Sequence, residues 1–99
     1  MLVSTKDMLE KAHAEGYAIP SPDYVDSNSV RAFAQVAEEL RAPLILSFAE
    51  VHLEQMSVEE AALLGTYYAR TTDAPIALHL DHGVHFDVIE ESIRQGFTS

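Results

Sequence analysis

The chain has 99 residues, no cysteine and a formal net charge of −10 at pH 7. Its length and its hydrophobic content of 47% predict one small globular domain, and no apolar run approaches the roughly 18 residues that a membrane span needs. The lack of cysteine excludes disulfides and thiolate metal sites and fits a cytosolic protein, whereas only six scattered lysines and arginines argue against nucleic-acid binding.

The first quarter of the chain predicts one helix and one short strand. Ser4 or Thr5 can cap a helix that runs to about Glu15. Gly16 would end this helix, because glycine adopts the left-handed conformation of a helix end most easily. Residues 16–20, GYAIP, then predict a short strand.

The middle of the chain predicts a helix, a strand and another helix. A cap near Ser27 begins a helix that extends to about Arg41, and residues 42–49, APLILSFA, form a continuous apolar strand. Ser57 and Glu60 have the spacing of a capping box and open the next helix. The apolar positions that give the first of these helices one buried face are Val30, Phe33, Ala34, Ala37 and Leu40.

The last quarter repeats this alternation. Residues 74–80, APIALHL, predict another strand, and residues 87–96 predict a helix that stops at Gly96. Residues 97–99, FTS, would begin a fourth strand. Strands that are apolar on both faces and alternate with helices indicate an α/β fold with a parallel sheet. Three strands leave one sheet edge uncovered, so we expect the chain to be part of a larger fold.

The stretch ALHLDHG, residues 77–83, places polar side chains at the end of an apolar strand. The period of two in a strand separates two sets of side chains. Ile76, Leu78 and Leu80 should pack under helices, and Ala77, His79 and Asp81 should face the other way. Asp81 and His82 then lie at the carboxyl end of the strand, where α/β folds carry their chemistry.

An imidazole can bind zinc, and a neighbouring carboxylate can move protons beside the metal. On spacing alone the pattern favours a structural or solvated role for the histidines over a functional one, because short motifs are unspecific and catalytic zinc takes three protein ligands. His79 is predicted to be an interior histidine held by hydrogen bonds, and His85 a solvated loop residue. Glu50 is either a solvated loop acid or a binding residue.

Five segments together resemble the N-terminal third of the class II, zinc-dependent ketose-bisphosphate aldolases, the family of fructose- and tagatose-bisphosphate aldolases. They are LVSTKDML, GYAIP, AEELRAPLILS, APIALHLDHG and IRQGFTS, and the resemblance covers essentially the whole chain. It implies a (β/α)₈ TIM barrel. Residues 1–99 would supply its N-terminal helix, about three βα units and the start of strand 4, as an incomplete part of a single barrel domain.

The resemblance also implies an activity and a site. Asp81 would be the catalytic acid–base group and His82 a zinc ligand, with the further ligands outside this chain. The reaction would be the reversible cleavage of a phosphorylated ketose, of the fructose- or tagatose-1,6-bisphosphate type, to dihydroxyacetone phosphate and an aldehyde. The family implies Zn²⁺, a monovalent cation, a homo-oligomer (dimer or tetramer) and a cytoplasmic role in glycolysis and carbohydrate metabolism. The 99 residues alone should be inactive.

Two positions that fall near the substrate in relatives differ here. Asp23 stands where many relatives have asparagine, and its carboxylate should repel an anionic substrate. Ala49 stands where relatives often have a serine, and it cannot donate that hydrogen bond. These differences support an alternative function, a non-catalytic aldolase-like subunit or a divergent relative acting on another phosphorylated sugar acid. A free-standing α/β binding module is a third hypothesis.

Overall fold

Two parallel strands form the centre of the molecule, which a computed structural model describes over residues 1–99. The elements are helices α1 (Thr5–Glu15), α2 (Ser27–Leu40), α3 (Val58–Arg70) and α4 (Phe86–Gln95), and strands β1 (Leu44–Ala49) and β2 (Ile76–Asp81). A 3-10 helix, Glu50–Glu54, follows β1 directly. The strands pair with Leu46 opposite Leu78 and Ala49 opposite Asp81. None of the helices combines the length and the apolar character needed to cross a membrane.

The segment around Pro20 and Pro22 borders β1 without forming a regular strand. The backbone N–H of Ile45 donates to the carbonyl of Pro20, and that of Ser47 donates to the carbonyl of Pro22, each at 3.0 Å. Proline has no N–H to donate in return, so the reciprocal bonds of a parallel ladder cannot form at these two residues. The predicted regular strand over residues 16–20 is therefore wrong, although extended backbone does run beside β1 from Pro20 onward.

The other edge of the sheet is bordered by the last residues. The N–H of Thr98 donates to the carbonyl of Leu78 at 2.8 Å, and the N–H of Leu80 donates to the carbonyl of Ser99 at 3.0 Å. Residues 97–99 thus begin a further extended segment along β2, as the sequence predicts. Extended backbone therefore borders the sheet on both edges. The parallel sheet and its helices together form a mixed α/β fold.

Helices α2, α3 and α4 cover one face of the sheet, which we call the helix-covered face. Its strand residues are Leu44, Leu46, Phe48, Ile76 and Leu78, all buried in one apolar cluster. Helix α3 approaches β2 closely at Gly65. A Cβ atom there would lie 2.5 Å from Cδ1 of Leu78 and 2.7 Å from the hydroxyl of Tyr24. Only glycine fits this crossing without a shift of the core.

The opposite face of the sheet, here the inner face, is divided in two along the strands. At the amino ends, Ile45 and Ala77 are buried in a small cluster with Met8 of α1. Toward the carboxyl ends, the same face carries Ser47 and His79, which are neighbours in the pairing of the strands. The alternation predicted for β2 is thereby confirmed, with its aliphatic residues under the helices and its polar residues on the inner face.

The predicted helix ends agree with the structure. Gly16 and Gly96 both adopt the left-handed conformation. The Oγ of Ser57 accepts the N–H of Glu60 at 3.1 Å, which confirms the capping box. Helix α2 has Asp26 as its N-cap. Local side-chain chemistry therefore fixes these boundaries.

Candidate functional site

The carboxyl ends of β1 and β2 lie side by side and hold the predicted site residues. Asp81 is the last residue of β2, and the strand pairing places it opposite Ala49, the last residue of β1. His82 follows Asp81, and Glu50 follows Ala49. The two strands thus bring residues about 30 positions apart in the sequence to one edge of the sheet, because parallel strands end at the same side.

Asp81 is flanked by two imidazoles. Its Oδ1 atom lies 3.5 Å from Nε2 of His82 and 4.0 Å from Nε2 of His79. The side chain of Asp81 is 37% exposed and that of His82 is 79% exposed. A carboxylate in this setting can be reached from solvent and can exchange protons with a bound molecule.

The backbone at His82 has an uncommon conformation. Its φ angle is 98°, in the left-handed region that a side chain with a Cβ rarely adopts. Such a residue costs of the order of 1–3 kcal/mol and persists only where its surroundings hold it. The next residue, Gly83, packs against α4, and a Cβ there would lie 2.7 Å from Cγ1 of Ile89. The chain therefore turns out of β2 at a strained and crowded point.

Glu50 reaches across from β1 to the loop that follows His82. Its Oε2 atom accepts the backbone N–H groups of Val84 at 2.5 Å and of His85 at 3.1 Å. Its Oε1 atom forms a hydrogen bond with Nδ1 of His85. The Glu50 side chain is only 9% exposed, so the prediction of a solvated loop acid is wrong. His85 is 72% exposed as predicted, but its ring is bound rather than free.

The Glu50–His85 contact shifts the pKa values of both groups. The hydrogen bond to His85 is the largest cause that holds the pKa of Glu50 below its usual value. The same hydrogen bond is the largest cause that raises the pKa of His85 above the usual imidazole value. The two shifts together favour a carboxylate paired with an imidazolium.

A row of hydroxyl and imidazole groups crosses the inner face below Asp81. Nδ1 of His79 lies 3.0 Å from Oγ of Ser99, so a hydrogen bond holds the ring as predicted, but the side chain is 33% exposed and is not the interior histidine that the sequence predicts. Ser47, opposite His79, is buried and its Oγ lies 2.6 Å from Oγ of Ser21. Sequence reasoning missed Ser47, although it is the one polar residue within LILSFA.

The two candidate substrate positions, Asp23 and Ala49, lie at this edge of the sheet. Asp23 is exposed and pairs with Ser47 as an isolated bridge on the border segment. Ala49 is buried and presents a methyl group opposite Asp81. Neither residue forms a hydrogen bond through its side chain within these 99 residues. Their roles as substrate-binding residues stay predictions.

The histidines fit zinc as part of a ligand set. No three side chains of histidine, cysteine, aspartate or glutamate converge closely enough to bind a metal ion. His82 is largely exposed, so its imidazole is accessible as one ligand. Zinc in a catalytic site takes three protein ligands. The donor chemistry at His82 therefore suits zinc, provided that other ligands are supplied to the same edge.

Comparison with known proteins places this arrangement in a family. The family described as fructose-bisphosphate aldolase class-II matches residues 3–99. The YdjI aldolase from Escherichia coli K12 superposes with a TM-score of 0.93 at 24% identity, over 98% of this chain and 37% of that one. A proposed fructose-1,6-bisphosphate aldolase from Coccidioides immitis gives 0.74 at 23% identity, over 85% of this chain and 31% of that one.

The chain thus spans 37% and 31% of the lengths of these two structures, and the likeness to them concerns the fold. The match to the family covers nearly every residue, including all of both strands and the Asp81–His82 pair. The chain belongs to the class II fructose-bisphosphate aldolase family.

Proposed function

We propose that the full-length protein is a class II aldolase that reversibly cleaves a phosphorylated ketose. In this proposal residues 1–99 are the N-terminal part of a single (β/α)₈ barrel, and the inner face of the sheet faces the barrel interior. The observation that carries the proposal is the placement of Asp81 beside His82 at the carboxyl ends of parallel strands, the position where such barrels carry their active sites.

Asp81 is proposed as the catalytic acid–base group. Its carboxylate is partly exposed and lies on the inner face, so a substrate hydroxyl can approach within hydrogen-bonding distance. In the cleavage direction Asp81 takes the proton of this hydroxyl as the carbon–carbon bond breaks. In the condensation direction it returns the proton to the new hydroxyl. His79 and His82 flank the carboxylate and limit its movement between these steps.

His82 is proposed as one zinc ligand, with the remaining ligands from parts of the protein outside residues 1–99. When bound, zinc supplies a Lewis acid that withdraws electron density from the substrate ketone. His82 would be one of the residues that hold the metal, and its backbone conformation sets the direction in which its side chain leaves the strand end. One histidine does not complete a catalytic zinc site, so these 99 residues alone are expected to be inactive.

The remaining features of the proposal follow from the family resemblance. The substrate is a bisphosphate of the fructose or tagatose type, and a monovalent cation lies near its phosphate. The protein acts in the cytoplasm, in carbohydrate metabolism, as a dimer or tetramer. The formal charge of −10 in this part of the chain means that cationic groups for the phosphates must come from the rest of the protein.

The proposed activity is tested by retro-aldol assays of the full-length protein with fructose and tagatose 1,6-bisphosphates. Asp81→Asn keeps the size of the side chain but removes its ability to accept the proton, so we expect kcat to fall by about 10²–10⁴-fold. Asp73→Asn is the matched control, because Asp73 is exposed in the turn before β2. A wild-type rate in Asp81→Asn would show that another group moves the proton.

A non-catalytic aldolase-like subunit is the second candidate function. Ala49 presents a methyl group opposite Asp81, and Asp23 adds an exposed carboxylate on the neighbouring segment. Both features weaken a site for an anionic ketose. A wild-type protein that binds zinc but cleaves neither bisphosphate would favour this function, or a divergent enzyme for another phosphorylated sugar acid.

A further inference from the structure

The loop that carries His82 is fixed from two sides. On one side Gly83 packs against Ile89 of α4, with no space for a Cβ. On the other side the carboxylate of Glu50 binds the N–H groups of Val84 and His85. Residues 82–85 are therefore held between the end of β1 and the start of α4, although no regular element includes them.

The carboxylate of Glu50 lies beside the start of α4. The N-cap residue of α4 is His85, and its side chain accepts no hydrogen bond from the helix. Helix starts carry unsatisfied N–H groups and a partial positive charge, and both favour a nearby carboxylate. Asp87 supplies one carboxylate within the first turn, where its Oδ1 accepts the N–H of Val88, and Glu50 supplies a second one that binds the two residues just before the helix.

The strained conformation of His82 makes such a contact necessary. A histidine with φ of 98° would relax toward the common regions if the following residues were free to move. Relaxation would rotate the imidazole away from its position 3.5 Å from Asp81. The two Glu50 hydrogen bonds at Val84 and His85 oppose this movement two and three residues after the strained position.

We infer that Glu50 is a positioning residue for the metal site: it clamps residues 84 and 85 and thereby holds His82 in the orientation that binds zinc. This inference rests on the proposed zinc-binding role of His82. Glu50 itself is buried and its oxygens are occupied by the loop, so it acts through His82 and not on the substrate. The role resembles that of the outer residues that orient metal ligands in other sites.

The inference is tested with zinc alone in the full-length protein. Glu50→Ala removes the clamp, and we expect the zinc dissociation constant, measured against a competing chelator, to rise about 10- to 100-fold. Glu50→Gln keeps a neutral acceptor of the same shape and should recover much of this affinity. His85→Ala leaves the two backbone N–H groups bound to Glu50 and should change the affinity least of the three.

Two controls separate positioning from general loss of stability. Glu54→Ala removes the same charge from the same 3-10 helix at an exposed position. Val30→Ala destabilises the buried side of α2, a helix that contributes no residue to the loop, and should leave zinc affinity unchanged below its melting temperature. Amide hydrogen exchange gives a readout without metal: the amides of Val84 and His85 should exchange at least 10-fold faster in Glu50→Ala.

The outcomes are distinct. Wild-type zinc affinity in Glu50→Ala, or an equal loss in Val30→Ala, would overturn the inference while leaving the proposed function intact. Failure of the wild-type protein to bind zinc would instead contradict the proposed function. Hydrogen exchange would then test the clamp without metal. Faster exchange at Val84 and His85 in Glu50→Ala would support the clamp, and unchanged exchange would contradict it.

Discussion

The same parallel pairing runs along the whole sheet, but the inner face carries apolar side chains at the amino ends of the strands and polar side chains at the carboxyl ends. At the amino ends, Met8 covers Ile45 and Ala77, and these residues are almost fully buried. At the carboxyl ends, Asp81 is partly exposed and His82 is largely exposed, and Glu50 adds a buried carboxylate. The amino end gains free energy by burying apolar surface, whereas the carboxyl end keeps polar groups accessible.

A non-glycine residue with a positive φ angle lies near each end of the sheet, Arg41 shortly before β1 and His82 directly after β2, but only His82 belongs to the candidate site. His82 adopts a left-handed conformation at the carboxyl end of β2, whereas Val3 meets the amino end through an ordinary backbone hydrogen bond, from its N–H to the carbonyl of Ile76 at 2.8 Å. Strained residues are tolerated where a function requires a fixed side chain and where neighbouring contacts hold the backbone.

The largest expected effect on stability comes from the amino end. Met8→Ala should lower the free energy of unfolding by about 2–5 kcal/mol, because it opens a cavity against Ile45 and Ala77. Leu9→Ala is the matched control, since Leu9 is the next residue of α1 and is 46% exposed. Its effect should stay within about 0.5 kcal/mol. Denaturant unfolding of the full-length protein measures both, and equal effects would contradict the assigned packing of α1.

A smaller effect of opposite sign is expected at the carboxyl end. His82→Gly removes the strain at φ of 98° but adds the backbone entropy of glycine. The net result should be a gain of the order of 1 kcal/mol in unfolding free energy, together with loss of the imidazole. His82→Ala is the control, because it loses the imidazole and keeps the strain. If His82→Gly is no more stable than His82→Ala, the strain is absent in solution.

The smallest effect is a pH dependence of the loop at the carboxyl end. The pKa of Glu50 is lowered, so its carboxylate stabilises the folded loop above about pH 4.3. This stabilisation is lost as the pH falls through the lowered value. The pKa of His85 is raised, so its contribution is fully present below about pH 6.5 and is lost as the pH rises through the raised value. The protection factor of the Val84 amide, which corrects for the intrinsic pH dependence of exchange, should therefore be largest between these limits.

His85→Ala separates the two limits of this pH window. This variant lacks the imidazole, but Glu50 can still accept the backbone N–H of Val84. Only the loss of protection of the Val84 amide at high pH should therefore disappear. If the Val84 protection factor still falls fully at high pH in this variant, that dependence belongs to another group. The amides of β1 serve as an internal reference, because they lie in the buried sheet.

The sequence predicts the parts of the fold that depend on neighbouring residues. Gly16, Gly96 and the Ser57–Glu60 pair determine helix ends through contacts within a few positions, and the period of two in β2 determines its faces. The same local logic failed at residues 16–20. Proline lacks the N–H group that regular strand pairing needs. The carbonyls of Pro20 and Pro22 instead accept hydrogen bonds from backbone N–H groups of β1, a strand that is distant in the sequence.

The candidate site depends more strongly on distant pairing. Asp81 and His82 could be identified from a short motif, because the two residues are adjacent. The contact of Glu50 with His85 joins residues 35 positions apart and requires the register of β1 against β2. The same register brings Ser47 next to His79. No spacing rule in a single sequence specifies that register, so these contacts could be found only in the folded chain.

The most direct test of the proposed site is the zinc affinity of the full-length protein with and without His82. The wild-type protein should bind zinc, and His82→Ala should weaken binding by more than the roughly 10- to 100-fold caused by loss of an outer partner. His13→Ala is the control, because His13 is exposed on α1 at the opposite end of the sheet. Equal zinc affinity in the wild type and His82→Ala would contradict the assignment of His82 as a ligand.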